Sequence, residues 1–249
     1  MPPIVLTFAA SDPTGGAGMQ ADVLTLAALG CHPLSVLTGL TVQDTSGVEH
    51  LEPVDARLVA RQARRVLAES EVAAFKVGVL ATADNARAVA EVAAAHVHVP
   101  LVLDPVLASG RGDELASDAV LAALLEELVP RATVVTPNTL EAGRLGGVRQ
   151  LLERGCRYVL LTGTHEPGAE VSNKLYGPSG LVREDRWQRL PDRFHGSGCT
   201  LASAIAAQLA KGRAVPEAVR EAQEFTWRAL AEGFRTGAGQ SLPNRFFLR

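Results

Sequence analysis

The alternation of short apolar runs with longer alanine-rich stretches constrains the fold of this chain more than any other feature. The apolar runs lack the polar–apolar alternation of a half-exposed strand, so each is predicted to be a parallel strand buried on both faces. The stretches between them have helical patterns, and this order predicts an α/β fold with right-handed crossovers around a mostly parallel sheet. The runs are PIVLTFAAS, LSVLTGLTV, AAFKVGVL, PLVLDPV, ATVVTPN and RYVLLTG, and the helical patterns cover residues 17–30, 55–69, 84–97, 114–128, 139–154, 198–211 and 215–234.

The 249 residues contain no repeat, low-complexity tract or linker, which predicts a single domain over residues 1–249. The longest polar and turn-rich stretch covers residues 176–194. It is predicted to belong to a hairpin that starts at Lys174 and adds antiparallel edge strands to the sheet.

Composition narrows the classes of function. A net charge of −3 gives no basic footprint for nucleic acid. No apolar run approaches the ~20 residues that a membrane span needs, and the N-terminus lacks the charged start of a signal peptide. The three cysteines, Cys31, Cys156 and Cys199, are isolated, which suits a reducing compartment. A cytoplasmic enzyme is therefore expected, with no nucleic-acid or membrane partner.

Polar segments follow the predicted strands at their carboxyl ends, where ligands collect in wound sheets. These segments are SDPTGGAG, QDTSG, DPV, TPNTLE and TGTHE. Gly15, Gly16 and Gly18 lie in the first of them, before a predicted helix. GAGMQA satisfies the dinucleotide pattern G-x-G-x-x-A, which alone is weak evidence, and no Lys-Ser/Thr follows for a P-loop. A loop for a polar ligand is favoured over a plain flexible turn.

Two acidic residues stand at this rim. Asp104 ends the run PLVLDPV, and Glu141 follows TPN on the first turn of a helix. Together they suit a hydrated Mg²⁺, which takes few carboxylates plus substrate phosphates. Taken singly, each has a plainer interpretation, because Glu141 would cap its helix and Asp104 would shape the turn before Pro105.

The segment HGSGCT places Cys199 between glycines and a small-residue helix. Its backbone amides predict a site for anionic oxygens, and a thiol at a helix N-terminus is expected to have a lowered pKa. Read alone, Cys199 would be a small buried hydrophobe, as Cys31 and Cys156 are predicted to be. An acyl-transfer nucleophile assisted by His195 is a weaker alternative.

Four segments in order resemble the hydroxymethylpyrimidine/phosphomethylpyrimidine kinases of thiamine biosynthesis, within the ribokinase-like superfamily. They are AASDPTGGAGMQADVLTLAALG, VLDPV, TPNTLEA and HGSGCTLASAIAAQLAKG, and the resemblance runs from about residue 4 to 235. It implies a three-layer α/β/α fold, ATP and Mg²⁺ as cofactors, and a homodimer. The implied reaction phosphorylates 4-amino-5-hydroxymethyl-2-methylpyrimidine, its monophosphate, or both, and which step dominates stays open.

The resemblance also implies roles for individual residues. Cys199 stands where related sugar kinases carry an aspartate base, and the loop before it would hold the transferred phosphoryl group. Gln43 would pair with the aminopyrimidine edge. The implied sets are Gly196, Ser197 and Gly198 for the anion hole, Asp104 and Glu141 for Mg²⁺, Asn138, Glu141 and Thr162 for the nucleotide, and Ala10, Asp22, Gln43 and Val106 for the pyrimidine pocket.

One departure from the family leaves alternatives open. Thr162 stands where the family commonly has a phosphate-contacting lysine, and we hypothesise that Lys174 or Arg193 compensates. One alternative is a pyridoxal-type kinase, which Gln43 disfavours. The other is a non-catalytic module that binds a pyrimidine, which Thr162 motivates and the retained Cys199 disfavours.

Overall fold

The computed structural model describes residues 1–109 and 112–247. These residues form one sheet of nine strands in the order β3-β2-β1-β4-β5-β6-β7-β8-β9. The strands are β1 Ile4–Ser11, β2 His32–Gln43, β3 Val48–Pro53, β4 Ala74–Val77, β5 Leu101–Leu103, β6 Val134–Val135, β7 Tyr158–Thr162, β8 Glu170–Gly177 and β9 Gly180–Gln188. The α-helices are α1 Gly18–Ala28, α2 Ala56–Leu67, α3 Ala83–Ala94, α4 Asp118–Ala123, α5 Thr139–Arg144, α6 Gly147–Glu153, α7 Ser197–Ala210 and α8 Val215–Ala231.

The central part of the sheet is parallel, as predicted. β2, β1, β4, β5, β6 and β7 pair in parallel in that order. The antiparallel hairpin at the far edge is also confirmed, although its first strand begins at Glu170 and not at Lys174. The sequence prediction missed β3, which pairs antiparallel with β2 and is largely exposed. A short, exposed edge strand lacks the apolar run by which the other strands were found.

Two predicted helices differ from the structure. The stretch 139–154 is divided into α5 and α6 at Gly146 and Gly147, whose φ angles of 86° and 88° end one helix and start the next. The stretch 114–128 becomes helical only at Asp118, and after α4 it continues as a π-helical turn over Leu124–Leu128.

Helices cover both faces of the sheet, which confirms the three-layer α/β/α architecture. Adjacent residues of β1 enter opposite cores, because Leu6 and Phe8 pack on one side and Val5 on the other. The first core includes side chains of α2, α3, α4 and α6, and the second is built against α1, α7 and α8. Cys31 and Cys156 are buried in these cores, as predicted.

Small residues bring α7 close to the sheet. Ala202, Ala204, Ala206 and Ala207 have no exposed surface and pack in the second core. Since alanine adds little bulk, the helix lies near the strands and directs its N-terminus at their carboxyl edge. The HGSGCT segment and the residues that follow β1, β5 and β6 therefore meet at that edge.

Candidate active site

Asp104 lies at the carboxyl end of β5, beside the first turn of α7. Only 5% of its surface is exposed, and its Oδ2 atom has no hydrogen-bond partner among the described residues. A Cβ atom built on Gly198 would lie 3.9 Å from both carboxylate oxygens, so the first turn of α7 passes within van der Waals contact of Asp104. Burial raises the pKa of Asp104 to about 6, against the opposing charge of Lys76.

Glu141 caps its helix and also interacts electrostatically with Asp104. Its carboxylate accepts a hydrogen bond of 2.9 Å from the Asn138 amide, while the Asn138 side chain accepts from the Leu140 and Glu141 amides. Burial raises the pKa of Glu141 to about 8, and the negative charge of Asp104 adds to the increase. Two acids that raise the cost of each other's ionisation would both gain from a cation between them.

The N-terminus of α7 has no side-chain cap. Its cap residue, Gly196, has a φ of 82°, and no side chain accepts from the first amides of the helix. A Cβ atom on Gly196 would lie 1.9 Å from the carbonyl oxygen of Gly16, so the HGSGCT segment and the glycine loop touch through their main chains. The amides of residues 197–199 therefore stay available for an anion.

Cys199 stands on the first turn of this helix and is partly exposed. Burial raises the pKa of its thiol to about 12, with Lys76 opposing the shift and Asp104 and Asp22 adding to it. The expectation of a lowered pKa was therefore wrong, because burial beside two carboxylates outweighs the helix N-terminus. The negative charge of Asp104 therefore favours the neutral form of the thiol beside it.

A buried ion pair lies beneath the site, and the sequence analysis did not identify it. The Lys76 ammonium is 2.8 Å from Oδ1 of Asp22, and neither side chain has any exposed surface. Burial alone would lower the pKa of Lys76, but the contact with Asp22 reverses the shift and raises it, so Lys76 stays charged. The available signal was a single lysine inside the apolar run AAFKVGVL.

Asp22, which the resemblance implies for the pyrimidine pocket, is fully buried in this ion pair. Besides Lys76, its carboxylate accepts hydrogen bonds from Thr7 Oγ1 at 2.6 Å and from Ser203 Oγ at 2.8 Å. With no exposed surface and both oxygens bonded, Asp22 offers no atom to a ligand in this arrangement.

The other residues implied for the pyrimidine pocket lie along the same rim. Gln43 and His195 line one small cavity, together with the turn after β2. Ala10 is buried near the end of β1, and Val106 is half-buried two residues after Asp104. The cavity places Gln43 next to the HGSGCT segment.

His195 bonds across the site to Asp12. Its Nε2 atom lies 2.8 Å from Oδ2 of Asp12, which is fully buried. Burial would raise the pKa of Asp12, but hydrogen bonds from His195, Ala17 and Thr14 outweigh it and lower the pKa. This pair links the glycine loop to the HGSGCT segment, and the distance of 183 residues along the chain hid it from the sequence analysis.

Thr162, at the end of β7, lies in a neutral environment. It is 9% exposed, and its strand bridges to Asn138. The next amide, of Gly163, donates to Asn173 Oδ1 at 3.1 Å, and Asn173 in turn donates to Gln223. Lys174 lies opposite Leu161 in the sheet and Arg193 is exposed, so compensation by either remains a prediction.

Two further observations concern metal and membrane. In the described part of the chain, no three His, Cys, Asp or Glu side chains converge as metal ligands, which leaves the pair Asp104 and Glu141. Across residues 1–109 and 112–247, every helix is too short or too polar to traverse a bilayer.

A family model and a similar curated protein point to the same family of kinases. A family model described as phosphomethylpyrimidine kinase matches residues 12–244. A Streptomyces coelicolor protein named hydroxymethylpyrimidine/phosphomethylpyrimidine kinase is 41% identical, over 96% of this chain and 92% of the relative.

Two solved structures have similar folds. The pyridoxal kinase of Staphylococcus aureus in complex with AMP-PCP and pyridoxal has a TM-score of 0.90 at 26% identity, covering 100% of this chain and 95% of that one. The phosphomethylpyrimidine kinase of Clostridium difficile has a TM-score of 0.79 at 30% identity, covering 92% and 99%.

Proposed function

This chain belongs to the phosphomethylpyrimidine kinase family, and on that premise we propose that it transfers a phosphoryl group from ATP to 4-amino-5-hydroxymethyl-2-methylpyrimidine, to its monophosphate, or to both. One observation carries the proposal. The paired carboxylates of Asp104 and Glu141 lie beside the uncapped N-terminus of α7, so a cation site and an anion site adjoin. Phosphoryl transfer from a metal-bound nucleotide needs that combination.

The residues present fit Mg²⁺. Asp104 has an oxygen without a partner among residues 1–109 and 112–247, and both acids have raised pKa values that a cation would reverse. Two carboxylates suit an ion that keeps several waters and takes its other ligands from substrate phosphates. When bound, the ion would neutralise charge on the phosphates of the nucleotide.

The helix N-terminus would hold the phosphoryl group in transfer. The free amides of residues 197–199 point out of α7, and the buried charge of Lys76 lies behind them. Asn138 and Thr162 lie at the ends of β6 and β7, where the resemblance places the nucleotide. Positioning and charge stabilisation dominate such transfers, because their transition states are loose.

The acceptor would lie between Gln43 and Cys199, with Gln43 against the aminopyrimidine edge. Since its thiol is neutral, Cys199 orients the hydroxymethyl oxygen and does not strip its proton beforehand. The hydroxymethyl proton leaves as the phosphoryl group arrives, and it passes to an oxygen of the transferred phosphoryl group.

Pyridoxal is the second candidate acceptor. It is favoured by the TM-score of 0.90 with the Staphylococcus aureus pyridoxal kinase, against 0.79 with the Clostridium difficile phosphomethylpyrimidine kinase. The homodimer and the cytoplasmic location that we expect from the sequence stand beside this as predictions.

Steady-state release of ADP, measured with the hydroxymethylpyrimidine, its monophosphate and pyridoxal in parallel, tests the proposal. We expect at least one pyrimidine to be turned over, with kcat/KM about tenfold or more above that for pyridoxal. Faster turnover of pyridoxal would establish the second candidate. Thermal stabilisation by a pyrimidine without any turnover would contradict the proposed reaction and indicate a binding protein.

A further inference from the structure

The C-terminal segment 241–247 is packed against the site. The His195 amide donates to the carbonyl of Ser241 at 2.9 Å, and the Ser241 amide donates to the carbonyl of Arg193. Farther along, the Phe247 ring lies 5.3 Å from the Phe225 ring of α8. These contacts fix the segment on both sides of Arg245.

Arg245 inserts from this segment between the glycine loop and α7. Its guanidinium donates to the carbonyl oxygens of Gly15 and Gly16, and to Thr200 Oγ1 at 3.0 and 3.2 Å. The Thr200 hydroxyl in turn donates to the carbonyl of Gly196 at 2.8 Å. One side chain therefore connects both of the backbone segments that meet at the anion site.

These hydrogen-bond partners of Arg245, within the described residues, are neutral, although only 4% of the residue is exposed. Burial lowers the pKa of the guanidinium to about 10, and the carboxylates of Asp22 and Asp12 oppose that decrease. Arg245 thus stays charged at neutral pH. A buried charge held by carbonyls and a hydroxyl is costly unless its geometry serves the site.

The two segments have few side chains with which to hold each other. A Cβ atom on Gly16 would meet Leu242 at 2.5 Å and His195 at 2.6 Å, and one on Gly196 would meet Gly16. Glycine permits this close approach but supplies no contact of its own to maintain it. The planar fork of an arginine can bind several acceptors in fixed directions.

We propose that Arg245 is a positioning residue for phosphoryl transfer, and that its guanidinium fixes the glycine loop relative to the first turn of α7. The proposal rests on the proposed function for its effect on catalysis. The family model ends at residue 244, so the family match does not include this residue.

The test compares Arg245→Met and Arg245→Lys with the wild type, at a temperature where all are folded. We expect kcat to fall about 10-fold to 100-fold in Arg245→Met, because small misplacements of a reacting group are costly, while KM for the pyrimidine changes less than about threefold. Arg245→Lys keeps the charge but loses the fork, so its kcat should lie near that of Arg245→Met. Recovery of wild-type kcat by lysine, or unchanged kcat in Arg245→Met, would overturn the proposal.

The matched control is Arg220→Met, which removes an exposed arginine of α8. Arg220 pairs with Glu224 at 3.4 Å on the surface, so its loss should leave kcat unchanged. An equal loss of kcat in both variants would assign the effect to removal of a charge and contradict the positioning role.

Hydrogen exchange tests Arg245 without any turnover. The Ala17 and Thr200 amides are hydrogen-bonded within the two segments, to Asp12 and Gly196. We expect both to exchange about tenfold faster in Arg245→Met, with β7 amides unchanged. Unchanged exchange at Ala17 and Thr200 would overturn the proposal even if the enzyme is active. An inactive wild type with the expected exchange would instead contradict the proposed function alone.

Discussion

The two ends of the site each contain a buried acid, and the two acids differ in their hydrogen bonding and in the direction of their pKa shifts. At the glycine-loop end, Asp12 accepts hydrogen bonds from His195, Thr14 and Ala17, and its pKa is lowered. At the other end, one oxygen of Asp104 has no partner in the described part of the chain, and the pKa of Asp104 is raised to about 6. Both are buried, so burial alone does not distinguish them.

We interpret the difference as separating an acid that maintains the structure from one that the proposed function assigns to Mg²⁺. Hydrogen bonds to a carboxylate compensate its desolvation and hold the chain that supplies them. An acid without that compensation destabilises the folded protein until a cation arrives. The Asp12 end is therefore expected to be rigid before binding, and the end with Asp104 and Glu141 to respond to Mg²⁺.

The largest expected effect comes from exchanging the two acids for amides. Asp104→Asn should lower kcat/KM about 100-fold to 1,000-fold, because the metal ligand is lost, without lowering the melting temperature. Asp12→Asn should lower the free energy of unfolding by about 1–3 kcal/mol, because an amide cannot accept every bond that Asp12 accepts. Kinetics and thermal melts of both variants check this pair. A lower melting temperature of the Asp104→Asn variant would contradict the distinction between a structural Asp12 and a ligand-binding Asp104.

Cys199→Ser tests the chemistry beside Asp104. We expect kcat to fall about 10-fold to 100-fold with little change in pyrimidine affinity, since the side chain orients the acceptor oxygen and does not bind the ring. Steady-state kinetics and a pyrimidine titration measure the two quantities. Full retention of kcat would remove Cys199 from the reaction.

The two ends should also respond to pH with opposite sign. The lowered pKa of Asp12 gives stability that is present above its unfolded value of 3.8 and is lost in acid. The raised pKa values of Asp104 and Glu141 mean that the folded state binds more protons than the unfolded state. Stability of the Mg²⁺-free protein should therefore fall as pH rises from about 3.8, the unfolded value of Asp104, to about 8, the folded value of Glu141.

Mg²⁺ should reverse that fall, because it binds the ionised carboxylates. Affinity should rise by up to about tenfold per pH unit between pH 6 and 8, where Glu141 ionises. Thermal melts with and without Mg²⁺ at each pH measure the stabilisation by Mg²⁺. The variant carrying both Asp104→Asn and Glu141→Gln is the control. A Mg²⁺ effect that is equal at pH 6 and pH 8 would contradict the assignment.

The smallest expected effect concerns the nucleotide side. Thr162→Lys restores the positive charge that the family commonly has after this strand, and we expect KM for ATP to fall about threefold with unchanged kcat. An unchanged KM for ATP would mean that other groups already neutralise the phosphates. Alanine at Lys174 and Arg193 together then tests whether those residues do so.

Patterns local in sequence carried much of the fold prediction. Apolar runs identified the parallel strands, and the motif segments placed Asp104, Glu141 and Cys199 on one rim, where the structure has them. β3 was missed because a short exposed edge strand has no apolar run. Gly146 and Gly147 divided a helix that its periodicity had joined.

The missed features of the site depend on contacts between distant parts of the chain. Lys76 meets Asp22 across two elements, and Arg245 lies 229 residues from Gly16. The pKa of Cys199 was predicted from its helix position, but burial raises this pKa, and the carboxylates of Asp104 and Asp22 add to the increase. A sequence pattern can single out a residue such as Lys76, but it does not show which distant residue that side chain contacts.

Phosphorus NMR of wild type and Asp104→Asn, each with ATP, Mg²⁺ and the hydroxymethylpyrimidine, tests the central claim most directly. With the wild type, we expect a phosphate monoester of the pyrimidine, or its diphosphate, to appear as ATP is consumed. The variant should form either product about 100-fold or more slowly. Equal product formation by both proteins, or consumption of ATP without a pyrimidine product, would contradict the account.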